Sequence, residues 1–106
     1  MDDARALIDR YFDLAPQADT DTYLAQFTDD AVVEDEDQAY RGIAAIRGWR
    51  SKVPRVAYAI REVRLAGTVH DAVVDIAGDF PGSPVTLIFR FQFAADGRIS
   101  ALTISL

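Results

Sequence analysis

Two polar side chains fall where the apolar pattern turns inward, and their types suit acid–base chemistry. Tyr11 lies on the stripe Ala4, Leu7, Ile8, Tyr11, Phe12 and Ala15, whose alternating short steps trace one face of a helix. A ring on that stripe points into the protein, and a buried phenol needs a partner for its hydroxyl. The partner is either a backbone carbonyl of the core or the oxygen of a bound substrate. Asp35 closes the run Ala31-Val32-Val33-Glu34-Asp35, which reads as a strand, and shares a face with Ala31 and Val33. A carboxylate held in an apolar cavity is harder to ionise than in water and becomes a competent base. Such a base could take a proton from carbon beside a carbonyl while a phenol steadies the developing oxyanion. Two features point the other way. Glu34, Asp35, Glu36 and Asp37 form an acidic run of the kind usually solvated, and the apolar Val32 leaves the inward face of the strand undecided.

Other polar residues promise less. His70 and Asp71 look like a dyad but fall in an expected hairpin turn around Thr68 to His70. Asp75 and Asp79 alternate with Val74, Ile76 and Phe80, which turns them outward; facing inward beside Arg90 they would form an acid–arginine–acid set fit for opening an epoxide. Cysteine is absent, which excludes thiolate ligands, thiol nucleophiles and disulfides, and a single histidine disfavours a tight transition-metal site. The acids at 34–37 lack calcium-loop spacing. There is no glycine-rich phosphate loop and no Gly-x-Ser-x-Gly elbow. Neither a metal nor a cofactor is expected.

The elements that must position Tyr11 and Asp35 divide the chain in two. Helices are expected in the first half: one over the Tyr11 stripe, stopped by Pro16; a second capped by Asp19 or Thr20 and turning Tyr23, Leu24 and Phe27 inward; a third opened by Gly42, with Ile43, Ile46, Trp49 and Val53 on one face and Pro54 as its limit. Thr28-Asp29-Asp30 reads as a turn before the strand at Ala31, and Gln38 to Arg41 as its return. From Val56 the pattern is β, with strands expected near 56–66, 71–80, 84–94 and 98–106, joined through Pro81-Gly82-Ser83 and Asp96-Gly97. Helices first and strands after imply an α+β domain. At 106 residues the chain makes one domain, 1–106, able to bury roughly two-thirds of its unfolded surface.

Charge narrows the partners. The net charge of −6 argues against nucleic acid or an anionic membrane, and no apolar run approaches a membrane span. With an acidic start lacking an apolar signal core, a cytoplasmic protein is expected. Residues 1–37 hold 12 acids and 2 bases, whereas residues 38–64 hold 7 bases and 1 acid. Either the two segments neutralise each other or they polarise a cleft. The last strand puts Leu102, Ile104 and Leu106 on one side and Ile99, Ala101, Thr103 and Ser105 on the other, with no charge after Arg98. An uncharged outer face invites association, so a homodimer through the outer sheet face is expected.

These segments resemble the nuclear transport factor 2-like superfamily, in its SnoaL-like and ketosteroid isomerase-like branches. The resemblance rests on Ile8-Asp9-Arg10-Tyr11, Phe27 through Asp35, Arg41 through Arg47, Glu62-Val63-Arg64 and the Phe-rich strand leading to Asp96-Gly97-Arg98. It implies a cone: a curved mixed sheet wrapped around three helices, the cystatin-like α+β barrel. It also implies an apolar pocket for a hydrophobic small molecule, lined by Phe27, Trp49, Arg50, Leu87, Phe89, Phe91 and Leu102, with Tyr11 and Asp35 as the catalytic pair. In the isomerases a tyrosine of the first helix donates to the substrate oxygen and an aspartate ending the first strand moves the proton. The chain departs from them in two places. Phe89 stands where they keep a protonated aspartic acid as second oxyanion donor, and Arg50 where a second tyrosine supports the first. Losing one such donor costs about 10²–10³ in rate, and an arginine at 47 or 50 beside Asp35 would weaken it as a base. A proficient steroid isomerase is therefore not expected. Isomerisation or dehydration of another hydrophobic carbonyl compound is, with a non-catalytic ligand-binding or dimerisation module as the alternative.

Overall fold

Each helix starts where a local hydrogen bond or a glycine allows it. In the computed structural model, which describes residues 3–106, α1 spans Ala4–Leu14 and is capped by Asp3, whose carboxylate accepts from Ala6 N at 2.8 Å. Met1 and Asp2 of the expected 1–106 domain lie outside the described residues. Helix α2, Thr20–Leu24, is capped by Asp19, which accepts from both the N–H and the hydroxyl of Thr22. Helix α3, Ile43–Lys52, follows Gly42 at φ 86°, a conformation that a Cβ disfavours. The Gly42 N–H donates to Ala31 O at 2.8 Å and ties the start of α3 to the first strand.

Six strands make one sheet: β1 Phe27–Asp35, β2 Gln38–Arg41, β3 Ala57–Ala66, β4 Val69–Ala77, β5 Val85–Phe93 and β6 Ile99–Ser105. Their order is β2-β1-β6-β5-β4-β3, with β1 and β6 parallel and every other neighbouring pair antiparallel. The curved, open sheet carries the three helices of the N-terminal half, the α+β cone that the sequence implies. The core between them is built from Ile8, Val33, Ile46, Val74, Phe91 and Leu102, all sealed from solvent.

Four local expectations are corrected. Strand β1 begins at Phe27, so Thr28-Asp29-Asp30 is strand and not turn. The register with β6 slips there, from Phe27 opposite Ile99 to Val32 opposite Ala101, and a break in the ladder reads as a turn in sequence. His70 lies inside β4, because the β3–β4 turn needs only Gly67 and Thr68 between the paired Ala66 and Val69. Strand β4 ends at Ala77, three residues early, where Ser83 Oγ takes the Gly78 N–H at 3.0 Å. Ile99 is buried and not outward, since a bulge sets Ala101 against Gln92 but Ile99 against Phe93.

Candidate functional site

The sheet and helices leave a cavity of about 620 Å³, bounded by the end of β1 and its turn, the end of α3 and the loops that follow β4. Tyr11, Asp35, Trp49, Arg50, Leu87 and Phe89 all line it. Tyr58, Ile76, Val85 and Ile104 extend the apolar wall, and the exposed Glu36 and Asp37 also border the cavity.

Tyr11 comes from the buried face of α1 and is packed by Phe12, Phe89 and Phe91, with ring centroids 5.0–6.1 Å away. Its hydroxyl meets that of Tyr23 at 2.7 Å. Burial, and then the neighbouring Tyr23 oxygen, pushes the Tyr11 phenol well above its ordinary value, so it stays neutral. Burial does the same to Tyr23, against the opposing pull of Arg50. Two hydroxyl protons share a single mutual contact, which leaves one for a third oxygen. A neutral phenol pair of this kind can stabilise an oxyanion by donation.

The support of Tyr11 is therefore Tyr23 of α2, and not residue 50. Arg50 instead spreads its guanidinium over the Tyr23 ring, 4.3 Å from the centroid, and donates Nη2 to the Ala15 carbonyl at the end of α1. Burial works against its charge, but the surrounding Tyr23, Tyr11 and Tyr58 oxygens more than offset this and hold its pKa raised.

Asp35 follows the parity of Ala31 and Val33, both sealed in the core, and so turns toward the cavity. Its Oδ2 accepts from Trp49 Nε1 at 3.0 Å. No arginine or lysine lies within 4 Å of its carboxylate among the described residues. Arg47, expected nearby, pairs with Asp21 at 2.8 Å on the surface. That is also the only ion pair among the described residues joining the acidic segment 1–37 to the basic segment 38–64. Asp35, Glu36 and Asp37 from the first segment and Arg50 from the second meet around one cavity.

Three expected wall residues lie elsewhere. Phe27, Phe91 and Leu102 belong to the closed core and do not line the cavity. Strand β5 runs from the mouth inward, so Val85, Leu87 and Phe89 face the cavity while Phe91, two residues further on, stacks against Phe93 beyond its floor. Phe27 packs on the far side of Tyr23, and Leu102 is fixed between Val33 and Phe91 in the ladder. Tyr23 was legible as an inward residue of α2 but not as the partner of Tyr11. Tyr58 could have been found from the alternation of β3.

The remaining candidates separate. His70 and Asp71, adjacent on β4, point to opposite faces: the His70 ring lies 6.0 Å from Phe93, while Asp71 takes a two-pronged contact from Arg90 at 2.8 and 3.1 Å. Asp75 faces outward to Thr86 and Arg61, and Asp79 is exposed, so no acid–arginine–acid set enters the cone among the described residues. Among the described residues no cluster of three metal-ligating side chains exists, and no helix is long and apolar enough to cross a membrane.

A six-stranded cone with a phenol and a carboxylate at one cavity defines a class, and comparison with known proteins names it. The chain belongs to the SnoaL-like domain family of the NTF2-like superfamily, which it matches over residues 8–102. It is 36% identical to a candidate polyketide cyclase from Sinorhizobium meliloti, with 94% of each chain covered and a TM-score of 0.87. An NTF2-like protein of unknown function from Cytophaga hutchinsonii is 12% identical over 98% of this chain and 89% of its own, with a TM-score of 0.81. The epoxide hydrolase/cyclase-like enzyme SalBIII, of pyran ring formation in the polyether salinomycin, is 16% identical over 95% of this chain and 88% of its own, with a TM-score of 0.78. Among curated proteins, none matches the chain significantly.

Proposed function

We propose that the protein is a small-molecule enzyme that moves a proton on a hydrophobic carbonyl compound, with Asp35 as base and Tyr11 as oxyanion donor. The observation that carries this is that both groups line one apolar cavity, with no ion pair to Asp35 among the described residues and Tyr11 held neutral by burial and by Tyr23. The Asp35 carboxylate takes the proton from carbon next to the carbonyl, and the electron pair moves onto the carbonyl oxygen, where Tyr11 donates. The protonated Asp35 then returns its proton to another carbon, which is an isomerisation. Alternatively the enolate carbon attacks a second carbonyl of the same molecule, and the proton passes to the new alkoxide, which is a ring closure. The likeness to the candidate polyketide cyclase favours substrates with more than one carbonyl. Phe89 has no polar hydrogen to donate, so the oxyanion lacks the carboxylic acid donor that the isomerases keep there, and catalysis of modest rate is expected.

Hydrogen–deuterium exchange at the acidic carbon of 2-tetralone, followed by NMR in heavy water, tests this. The wild-type protein should accelerate exchange, Asp35→Asn should abolish the acceleration, and Tyr11→Phe should lower it by about 10²–10³. Exchange undiminished in Asp35→Asn overturns the assignment. Binding of the ketone with no exchange at all would favour the non-catalytic module, for which the structural use of Asp35 as an acceptor for Trp49 Nε1 speaks.

We also propose a homodimer through the outer face of β6, where Ala101, Thr103 and Ser105 carry no charge. Sedimentation should give a dimer, and Thr103→Glu a monomer; a monomeric wild type would refute it.

A further inference from the structure

The charge lining this cavity is not balanced. Arg50 takes part in none of the ion pairs of the described residues, although its side chain lies against Tyr23, itself 1% exposed. A guanidinium carries five N–H groups and keeps its charge at any working pH. Here one nitrogen serves the Ala15 carbonyl, the flat face covers Tyr23, and the Tyr58 hydroxyl is a further neighbour within hydrogen-bonding reach. No buried side-chain nitrogen or oxygen of the described residues lacks a partner, so any Arg50 nitrogen without one reaches open space, and Arg50 borders the cavity. Fastening the end of α1 and meeting the Tyr58 hydroxyl engage neutral acceptors and leave the charge unexplained. A half-buried cation with no carboxylate within 4 Å among the described residues is unfavourable, and a carboxylate bound in its plane would supply both charge and two acceptors.

We propose that Arg50 is the anion-recognition residue of this cavity and that its ligands are apolar ring compounds bearing a carboxylate. The proposal rests on the reading of the cavity as a site for a hydrophobic small molecule and specifies what that molecule carries. The acids repel an anion from their own side: Asp35 ends β1, and Glu36 and Asp37 form the turn after it. Arg50 attracts it from α3, against Tyr23 and the end of α1. The two signs therefore orient a charged ligand, its carboxylate toward Arg50.

The test compares naphthalene-2-carboxylate with the neutral naphthalene-2-carboxamide by calorimetric titration of the whole protein. The wild type should bind the carboxylate at least about tenfold more tightly, since a charge-assisted fork is roughly twice as strong as a neutral hydrogen bond. Arg50→Gln should bring the ratio to about one, and Arg50→Lys should keep part of the preference, because a point charge cannot form the planar fork. Should Arg50→Gln fail to fold, Arg50→Lys and the wild-type ratio decide the matter. Equal affinities in the wild type, or a preference that survives in Arg50→Gln, overturn the proposal. If the wild type exchanges 2-tetralone but shows no carboxylate preference, the assignment of Arg50 fails alone. If neither naphthalene binds, the apolar ligand site fails with it.

Discussion

Trp49 Nε1 donates to Asp35 Oδ2 at 3.0 Å, so helix α3 holds the carboxylate that ends strand β1. Of the four acids at 34–37, only Asp35 follows the inward parity of Val33 and gains this bond; Glu34, Glu36 and Asp37 are exposed. One carboxylate oxygen is thereby fixed and the other is left for the cavity.

Trp49 is the chain's single tryptophan, so its emission reports on the cavity. An apolar ligand without near-ultraviolet absorbance should shift that emission to the blue, and Asp35→Asn should alter it in the free protein. Trp49→Phe, which removes the donor to a charged acceptor, should cost about 1–3 kcal/mol in urea denaturation. Unchanged stability would mean that the indole contact holds nothing in place.

The phenol pair makes the fold sensitive to alkali. Both folded values lie above that of an unfolded tyrosine, near 10, so the stabilisation is whole below about pH 10 and is lost as pH rises through the folded values. Tyr23→Phe should cost about 1–3 kcal/mol at neutral pH, because Tyr11 then keeps a buried hydroxyl without its partner. It should also blunt the alkaline loss. Denaturant midpoints from pH 7 to 11 check both.

The turn between β1 and β2 holds Glu36 at φ 51° and Asp37 at φ 63°, left-handed values that aspartate tolerates but that strain a glutamate. Replacing the pair by Asn-Gly should raise stability by about 0.5–2 kcal/mol, read as a higher urea midpoint with unchanged slope. A lower midpoint would show that the acids themselves hold the turn.

On the outer face, the hydrogen bond from Arg90 keeps Asp71 below the usual carboxylate range. A depressed folded value gives stability that is present above about pH 4 and disappears as pH falls through the folded value. Asp71→Asn should therefore cost up to about 1 kcal/mol at pH 7 and nothing in strong acid. A cost independent of pH would assign the loss to packing. Denaturation at both pH values separates the two.

Much of this was legible in the sequence for a physical reason. The Tyr11 stripe and the alternation of β5 follow from periodicities of helix and strand, and the cap at Asp19 from the chemistry of a first turn. The depth of each residue along the cone was not. Phe89 and Phe91 share a face and a residue type, yet only the first reaches the cavity, because depth depends on where the whole sheet closes. Ile99 was misread since a bulge leaves no mark in hydrophobic order. The Tyr11–Tyr23 bond depends on how α1 crosses α2, which neither helix encodes alone.

Strand β6 sits between β1 and β5, and it alone joins the hairpin β1–β2 to the meander β3–β4–β5. The strand that follows the other five in chain order is thus the keystone of the sheet. Without it, the two parts that supply Asp35 and Phe89 have no common ladder, and the hollow cannot exist. Deleting 99–106 should accordingly give a chain without cooperative melting rather than a smaller version of the same fold, because the two parts have no ladder in common without β6.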